Sequence, residues 1–183
     1  IYGGTYPGGK LLQFDPATNA FRDYGQVIPG EMYARSVAWG DGTVYVGTYN
    51  CHIVAVDPVS GAKRELPQPA PNCGHVHDMN VHDGKLFARA ATSIINAPLY
   101  VYDPATNRWA SAPIPNVAGL DTTVGPDGKA YYMHTDGQVG TLSRVDTDTL
   151  ATEKLAPQVS GRVVNNRGAG WIDLKDPAWP GRT

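Results

Sequence analysis

Two short markers recur along the chain with a common period, and this repeat constrains the fold more than any other feature. The first marker is an Asp-Gly pair, which begins at Asp41, Asp83 and Asp127. The second marker is an Asp at the start of a predicted turn, and it recurs at Asp15, Asp57, Asp103 and Asp146. Both markers keep spacings of about 42–46 residues. Two independent markers rarely share a period by chance, so the chain is built from repeated units.

Each repeat has the pattern of four short β-strands joined by turns. In the second repeat the strands are predicted at Arg35–Trp39, Thr43–Tyr49, His52–Val56 and Ala62–Leu66. Gly42 provides the positive φ of a hairpin turn, and Asp57 caps the turn between the third and fourth strands. A period in the low forties without helical segments is typical of propeller blades. We therefore predict an all-β fold, a β-propeller of four-stranded antiparallel blades, whose strands we label A to D from the inner strand outwards.

The repeat also predicts where the blades begin and end. We place four blades at approximately 1–30, 31–72, 73–116 and 117–160, with 161–183 starting a further blade or forming a tail. In the fourth blade strand A is predicted at Asp121–Val124, and a last strand A is predicted at Val163–Arg167. The first blade lacks a strand A, and the chain starts without Met inside a β segment. We expect a fragment of a larger propeller, completed by the rest of that chain or by a second copy, and the alternative is a small closed ring of four blades.

The composition excludes several classes of partner. The net charge is −2 and 42% of the residues are hydrophobic, so neither disorder nor a nucleic-acid-binding or membrane-binding surface is indicated. No apolar stretch approaches the length of a membrane span. We expect the partner to be a polysaccharide or another small polar ligand.

Two turns carry a resemblance to a known group of proteins. They read Asp-Pro-Ala-Thr-Asn at 15–19 and Asp-Pro-Val-Ser-Gly at 57–61, and each follows an aromatic or aliphatic strand. They resemble turns of bacterial secreted propellers of the quinoprotein-like (PQQ-like) superfamily, and the segments at 4–15 and 83–89 look like actinobacterial exported proteins of that kind. The resemblance implies a secreted protein. The tryptophan-docking pattern of true quinoprotein dehydrogenases is absent, so we expect no cofactor. Some similar propellers are polysaccharide lyases, which suggests an enzyme by analogy.

Propellers usually bind ligands at the mouth of the central channel, and we call that end of the blades the rim. Positions that differ between blades are free to serve a ligand site there. Counting back from each Asp-Gly turn makes Arg35, His77 and Asp121 equivalent positions at the start of strand A. Tyr33 and His75 lie one step further out along the same face. A cation, an imidazole and an acid would then point into one channel mouth.

Further candidate residues are predicted at the same rim. Four of the five histidines fall there, namely His52, His75, His77 and His134. Arg89 stands where the first and second blades have Gly4 and Gly47. Tyr6 and Tyr49 end their strands at the rim and could stack on a sugar ring.

These residue types are the ones that a uronate lyase requires. His77 or His75 could be the base, Arg35 or Arg89 could hold the substrate carboxylate, and Tyr33 or Tyr49 could supply the acid. We assign catalytic roles to His77, His75, Arg35 and Tyr33, and substrate-binding roles to Arg89, Tyr49, Asp121, His134 and Tyr6. The alternative is a non-catalytic ligand-binding or scaffold propeller, in which the same groups line the channel and hold water.

The two cysteines and two of the histidines raise separate questions. Cys51 and Cys73 fall in loops at the same rim, so we expect a disulfide rather than two free thiols.

The His75-x-His77 spacing suits a metal, but a third ligand at His134 would lie two blades away, so we expect no metal site.

Overall fold

The computed structural model describes residues 1–94, 96–124, 127–136, 139–155, 159–164 and 171–172. Regular structure in these residues is entirely β, and no helix among them is long and apolar enough to cross a membrane. The strands are β1 Tyr2–Gly4, β2 Lys10–Asp15, β3 Ala20–Gln26, β4 Ala34–Gly40, β5 Thr43–Thr48, β6 Ile53–Val56, β7 Lys63–Glu65, β8 His75–His82, β9 Lys85–Ala91, β10 Ala97–Asp103, β11 Arg108–Trp109, β12 Ile114–Val124, β13 Ala130–Asp136, β14 Val139–Val145, β15 Thr152–Lys154, β16 Val159–Val164 and β17 Trp171–Ile172.

The strands form antiparallel blades in the predicted order. β4 to β7 make one four-stranded sheet in which each strand pairs with the next along the chain. β8 to β11 and β12 to β15 repeat the same pairing, and β1 to β3 supply strands B, C and D of the first blade. The fold is a β-propeller of four-stranded blades, and this prediction is confirmed.

Strand β12 begins seven residues before the predicted Asp121–Val124 segment and belongs to two blades. Its first part, at Ile114 and Val117, pairs with the outer side of β10, whereas its later part pairs with β13. One strand therefore leaves the edge of the third blade and becomes the inner strand of the fourth. The predicted strand at Val163–Arg167 is shifted in the same direction, because β16 occupies Val159–Val164 and pairs with β14. Residues 165–167 lie outside the described residues.

The hydrophobic core lies between successive blades. Alternate residues of β5 and β6 face opposite sides, as the two-residue period of a strand requires. One face, with Val44 and Val46, packs against Leu11 of the first blade, and the other face, with Tyr45, packs against Val76 of the third. Gly47 allows this close approach, because a Cβ atom there would lie 2.5 Å from a methyl carbon of Val76.

The turns have the geometry that the two markers predict. Asp41 and Gly42 both have positive φ, of 50° and 75°, and this combination gives the type I′ turn that matches strand twist. In the C–D turn, the Asp57 carboxylate accepts hydrogen bonds from the backbone N–H groups of Ser60 and Val59, each at 2.8 Å. These bonds lower the pKa of Asp57.

Candidate functional site

Arg35 and His77 occupy equivalent positions, each as the extra residue of a β-bulge. In the second blade the pairing steps from Ala34 opposite Thr48 to Ser36 opposite Gly47. In the third blade it makes the same step on either side of His77. A bulge leaves its extra residue unpaired and changes the direction of its side chain. The sequence repeat therefore places these two side chains at the same point of consecutive blades, as predicted.

Asp121 does not share that position, and this part of the prediction is wrong. In the fourth blade the corresponding bulge falls at Ala118, between Val117 opposite His134 and Gly119 opposite Met133. The register between β12 and β13 shifts a second time between Leu120 and Val124. This shift adds residues to β12 that have no partner in β13. Counting back from the Asp-Gly turn assumes hairpins of equal length, and the fourth hairpin is longer. The side chain of Asp121 lies outside the described residues.

The imidazole of His77 is buried and keeps one ring nitrogen unpartnered. Its Nε2 atom lies 3.0 Å from the carbonyl oxygen of Ala91, so Nε2 carries the proton and donates. Nδ1 therefore carries the lone pair, and it is buried without a hydrogen-bond partner. Burial, followed by the charges of Arg89 and Arg35, lowers the pKa of His77 to about 4. The ring is uncharged near neutral pH.

Two sets of ring contacts lie near this position. The rings of His77 and His75 lie edge to face with centroids 5.7 Å apart, and His75 stacks on Tyr49 at 3.8 Å. In the second set, the guanidinium carbon of Arg35 lies 5.8 Å from the ring centroid of Tyr33. The rings of Tyr33 and Tyr6 are 5.4 Å apart. Tyr6, Tyr33 and Tyr49 line one cavity, so the two sets adjoin. We call their six residues the rim cluster: Tyr6, Tyr33, Arg35, Tyr49, His75 and His77.

Two open cavities adjoin the rim cluster and share Tyr49 and Asn50 in their walls. The larger, which we call the tyrosine cavity, has a volume of about 450 Å³ and is lined by Tyr6, Gly30, Glu31, Met32, Tyr33, Tyr49 and Asn50. The smaller, of about 290 Å³, includes His75, Cys51 and Cys73 in its lining. The larger volume lies within the range of ordinary ligand sites.

The predicted disulfide between Cys51 and Cys73 is confirmed. The two Cα atoms are 5.8 Å apart, and both side chains are buried. The bond joins the loop after β5, which contains Tyr49, to the loop before β8, which ends at His75. It therefore links the two segments that hold the stacked Tyr49 and His75 rings.

Arg89 is fully buried and makes only internal contacts, which does not fit its predicted role in binding a substrate carboxylate. It is 2% exposed, and its Nε and Nη2 atoms bind the Asp78 carboxylate at 2.6–3.0 Å. Its Nη1 atom donates to the carbonyl oxygens of Ile94 and Val117. The sequence did not predict Asp78 as the partner of Arg89. The bulge in β8 creates the register in which the two residues lie directly opposite each other. Arg89 therefore acts on His77 only through its charge.

The two remaining rim histidines are paired with acidic residues. His134 contacts the carboxylate of Asp136 at 3.0 Å rather than any member of the rim cluster. His52 lies between Glu65, at 2.6 Å, and Glu31, at 3.7 Å. In the part of the chain that the structure describes, no group of three His, Cys, Asp or Glu side chains is arranged to hold a metal ion.

Comparisons with known proteins support the fold and leave the chemistry open. No protein-family model matches the chain. No curated protein sequence matches it either. A chain of the crystal structure of a nidogen/laminin complex is similar, with a TM-score of 0.60 and 14% identity over 88% of this chain and 62% of that one. A chain of the mitotic checkpoint complex is similar with a TM-score of 0.59 and 15% identity, over 79% of this chain and 43% of that one.

The present chain thus spans less than two thirds of the length of these neighbours. At such low identity the likeness shows the fold alone. Together with the blades described above, it identifies the chain as a β-propeller.

Proposed function

We propose that the protein is a carbohydrate-active β-propeller, a lyase that cleaves uronic-acid-containing poly- or oligosaccharides at the rim cluster. The observation that carries this proposal is that His77 and Arg35 occupy the same bulge position in consecutive blades. His77 offers an uncharged ring nitrogen with no partner, and Arg35 is a cation close enough to lower the pKa of that ring. A base near a cation suits removal of a proton next to a carboxylate.

The proposed reaction is a β-elimination. The proposal requires substrate binding to uncover the buried Nδ1 of His77, which then takes the proton from the sugar carbon that bears the carboxylate. The bond between the neighbouring carbon and the glycosidic oxygen breaks, and a carbon–carbon double bond forms. Tyr33 donates its hydroxyl proton to the leaving oxygen, and both residues return to their starting state by exchanging a proton with water. Arg35 holds the carboxylate and stabilises the negative charge that develops on it.

The low pKa of His77 has a specific consequence in this scheme. At pH 7 the ring is in the form that can accept a proton, but a group with a pKa of about 4 is a weak base. Part of the lowering comes from the charge of Arg35. A substrate carboxylate bound to Arg35 would offset that charge and raise the pKa of His77. The base would therefore become stronger when the substrate is in place.

The tyrosines suit the sugar rings on either side of the cleaved bond. Tyr6 is 66% exposed and Tyr49 is 47% exposed, so each presents one ring face at the cavity walls. Aromatic faces bind the apolar faces of sugar rings and leave the sugar hydroxyls free to contact polar groups. His75 would hold Tyr49 in place through the stacked contact.

Export from the cell is part of the same proposal. Stable disulfides occur mainly in oxidising compartments, and Cys51 and Cys73 are paired. The Asp-Pro turns at 15–19 and 57–61 support membership of the PQQ-like superfamily, whose secreted members resemble this chain.

The test is incubation with a panel of uronate-containing polysaccharides, followed by the ultraviolet absorbance of the new double bond conjugated to the carboxylate. The wild-type protein should produce absorbance with at least one glycan. His77→Ala should lower the rate by about 10² or more, because a positioned base contributes about that factor. His134→Ala is the matched control and should keep the rate, since His134 contacts Asp136 instead. Binding of a glycan without any absorbance would refute the lyase and leave a non-catalytic binding propeller.

A further inference from the structure

The tyrosine cavity has a buried acidic residue in its wall that the proposed elimination does not use. The side chain of Glu31 is only 4% exposed. Its Oε2 atom is buried and has no hydrogen-bond partner. Removing a carboxylate from water without a compensating donor is costly, so folding alone does not favour an acid at this position.

The nearest basic group does not balance this charge. Nε2 of His52 lies 3.7 Å from Oε1 of Glu31, which is too long for a hydrogen bond. Nδ1 of the same imidazole contacts Glu65 at 2.6 Å. The imidazole of His52 therefore stands between two carboxylates. Together the three side chains keep a net negative charge, because two carboxylates outweigh a single imidazolium.

The walls of the cavity also favour a positive charge. Tyr6, Tyr33 and Tyr49 surround it, and the face of an aromatic ring attracts ammonium groups through its quadrupole. A buried carboxylate is screened by salt much less than an exposed one, so Glu31 adds to the attraction across the cavity wall. Aromatic walls around a negative potential are the features by which proteins recognise ammonium ligands.

We infer that the tyrosine cavity is a subsite for a cationic group, namely the ammonium of an amino sugar. Tyr33 lines this cavity and also contacts Arg35, so the ammonium subsite adjoins the proposed carboxylate subsite. The identity of the sugar rests on the proposed function. The substrate class is then a glycan in which a uronic acid is linked to an amino sugar with a free, unacetylated amine.

The test is calorimetric titration at neutral pH with glucosamine, N-acetylglucosamine and tetramethylammonium chloride as probes. Glucosamine should bind the wild-type protein at least about tenfold more tightly than N-acetylglucosamine, because only the free amine carries a charge. Glu31→Gln keeps the shape of the side chain and removes its charge, and it should abolish this preference. Tetramethylammonium should bind Tyr6→Phe as it binds the wild type and Tyr6→Leu several-fold more weakly. Tyr6 is largely exposed, so this second pair serves if Glu31→Gln does not fold.

Equal affinity for the two sugars, an unchanged preference in Glu31→Gln or equal binding of tetramethylammonium by both Tyr6 variants would overturn the inference. Failure of all three probes to bind would overturn it as well. None of the probes undergoes elimination, so the result is independent of the lyase test. Ammonium preference without elimination would refute the lyase alone, and elimination without ammonium preference would refute this subsite alone.

Discussion

Removing the carboxylate of Asp78 is expected to destabilise the protein strongly, because it leaves the buried guanidinium of Arg89 without its ionic partner. Arg89 is 2% exposed, and the side chain of Asp78 is 12% exposed. In the Asp78→Ala variant the Nε and Nη2 atoms of Arg89 lose their acceptors, while Nη1 keeps the two backbone carbonyls. Breaking a buried ion pair in this way costs about 3–5 kcal/mol.

Variants at Arg89 distinguish the contribution of the ion pair from that of the other hydrogen bonds of Arg89. Arg89→Met leaves Asp78 unpaired and also removes the hydrogen bonds to the Ile94 and Val117 carbonyls, each worth about 1 kcal/mol. Replacing both partners with apolar residues, as in Asp78→Leu with Arg89→Met, leaves no unpaired charge. The double variant should therefore be less destabilised than the sum of its single variants.

The assay is urea unfolding followed by circular dichroism, with a double-mutant cycle over the two positions. Lys10→Ala is the control, because it breaks a pair with Asp23 in which both side chains are 47% exposed. Exposed pairs contribute at most about 1 kcal/mol, so this variant should unfold near the wild-type midpoint. If Asp78→Ala costs no more than Lys10→Ala, a stabilising role for the buried Asp78–Arg89 pair is refuted.

Three further perturbations test other parts of the structure. Since the pKa of His77 is lowered from its ordinary value of 6.5 to about 4, the unfolded chain binds more protons between these values. Stability should therefore rise as the pH rises from about 4 to 6.5, and His77→Gln should lose that part of the slope in urea midpoints measured against pH. Reduction of the Cys51–Cys73 bond should add two hydrogens to the mass and lower the free energy of unfolding by about 3 kcal/mol; an unchanged midpoint would contradict this. Gly47→Ala should cost about 1–3 kcal/mol in thermal unfolding, whereas Gly3→Ala, with no atom within 4 Å of the new Cβ, should cost little; equal effects would contradict the packing argument.

The regular blades could be predicted from sequence because the turn residues and the alternating apolar residues indicate the same strand pairing that the structure has. The Asp-Gly turns fix hairpins, and alternating apolar residues fix the faces of β5 and β6. The fourth strand A could not be predicted in the same way. Its first residues, from Ile114 to Val117, pair with β10 of the preceding blade. No local sequence pattern predicts a strand that is shared by two blades.

The candidate site was predictable where it depends on the repeat. Arg35 and His77 stand at the same bulge of consecutive blades, and the period alone makes them equivalent. The partner of Arg89 depends on the one-residue shift that the bulge adds to the register, which the sequence does not reveal. Glu31 lies in the link between β3 and β4, and only tertiary contacts bury it.

The most direct test of the central claim is a nuclear magnetic resonance titration of ¹⁵N-histidine-labelled protein with a uronate oligosaccharide. The proposed site predicts that the ring nitrogens of His77 shift on binding and that the pKa of His77 rises in the complex. The resonances of His134, which contacts Asp136, should stay in place. Saturable binding that shifts His134 and leaves His77 unchanged would contradict the assignment of the rim cluster as the uronate site.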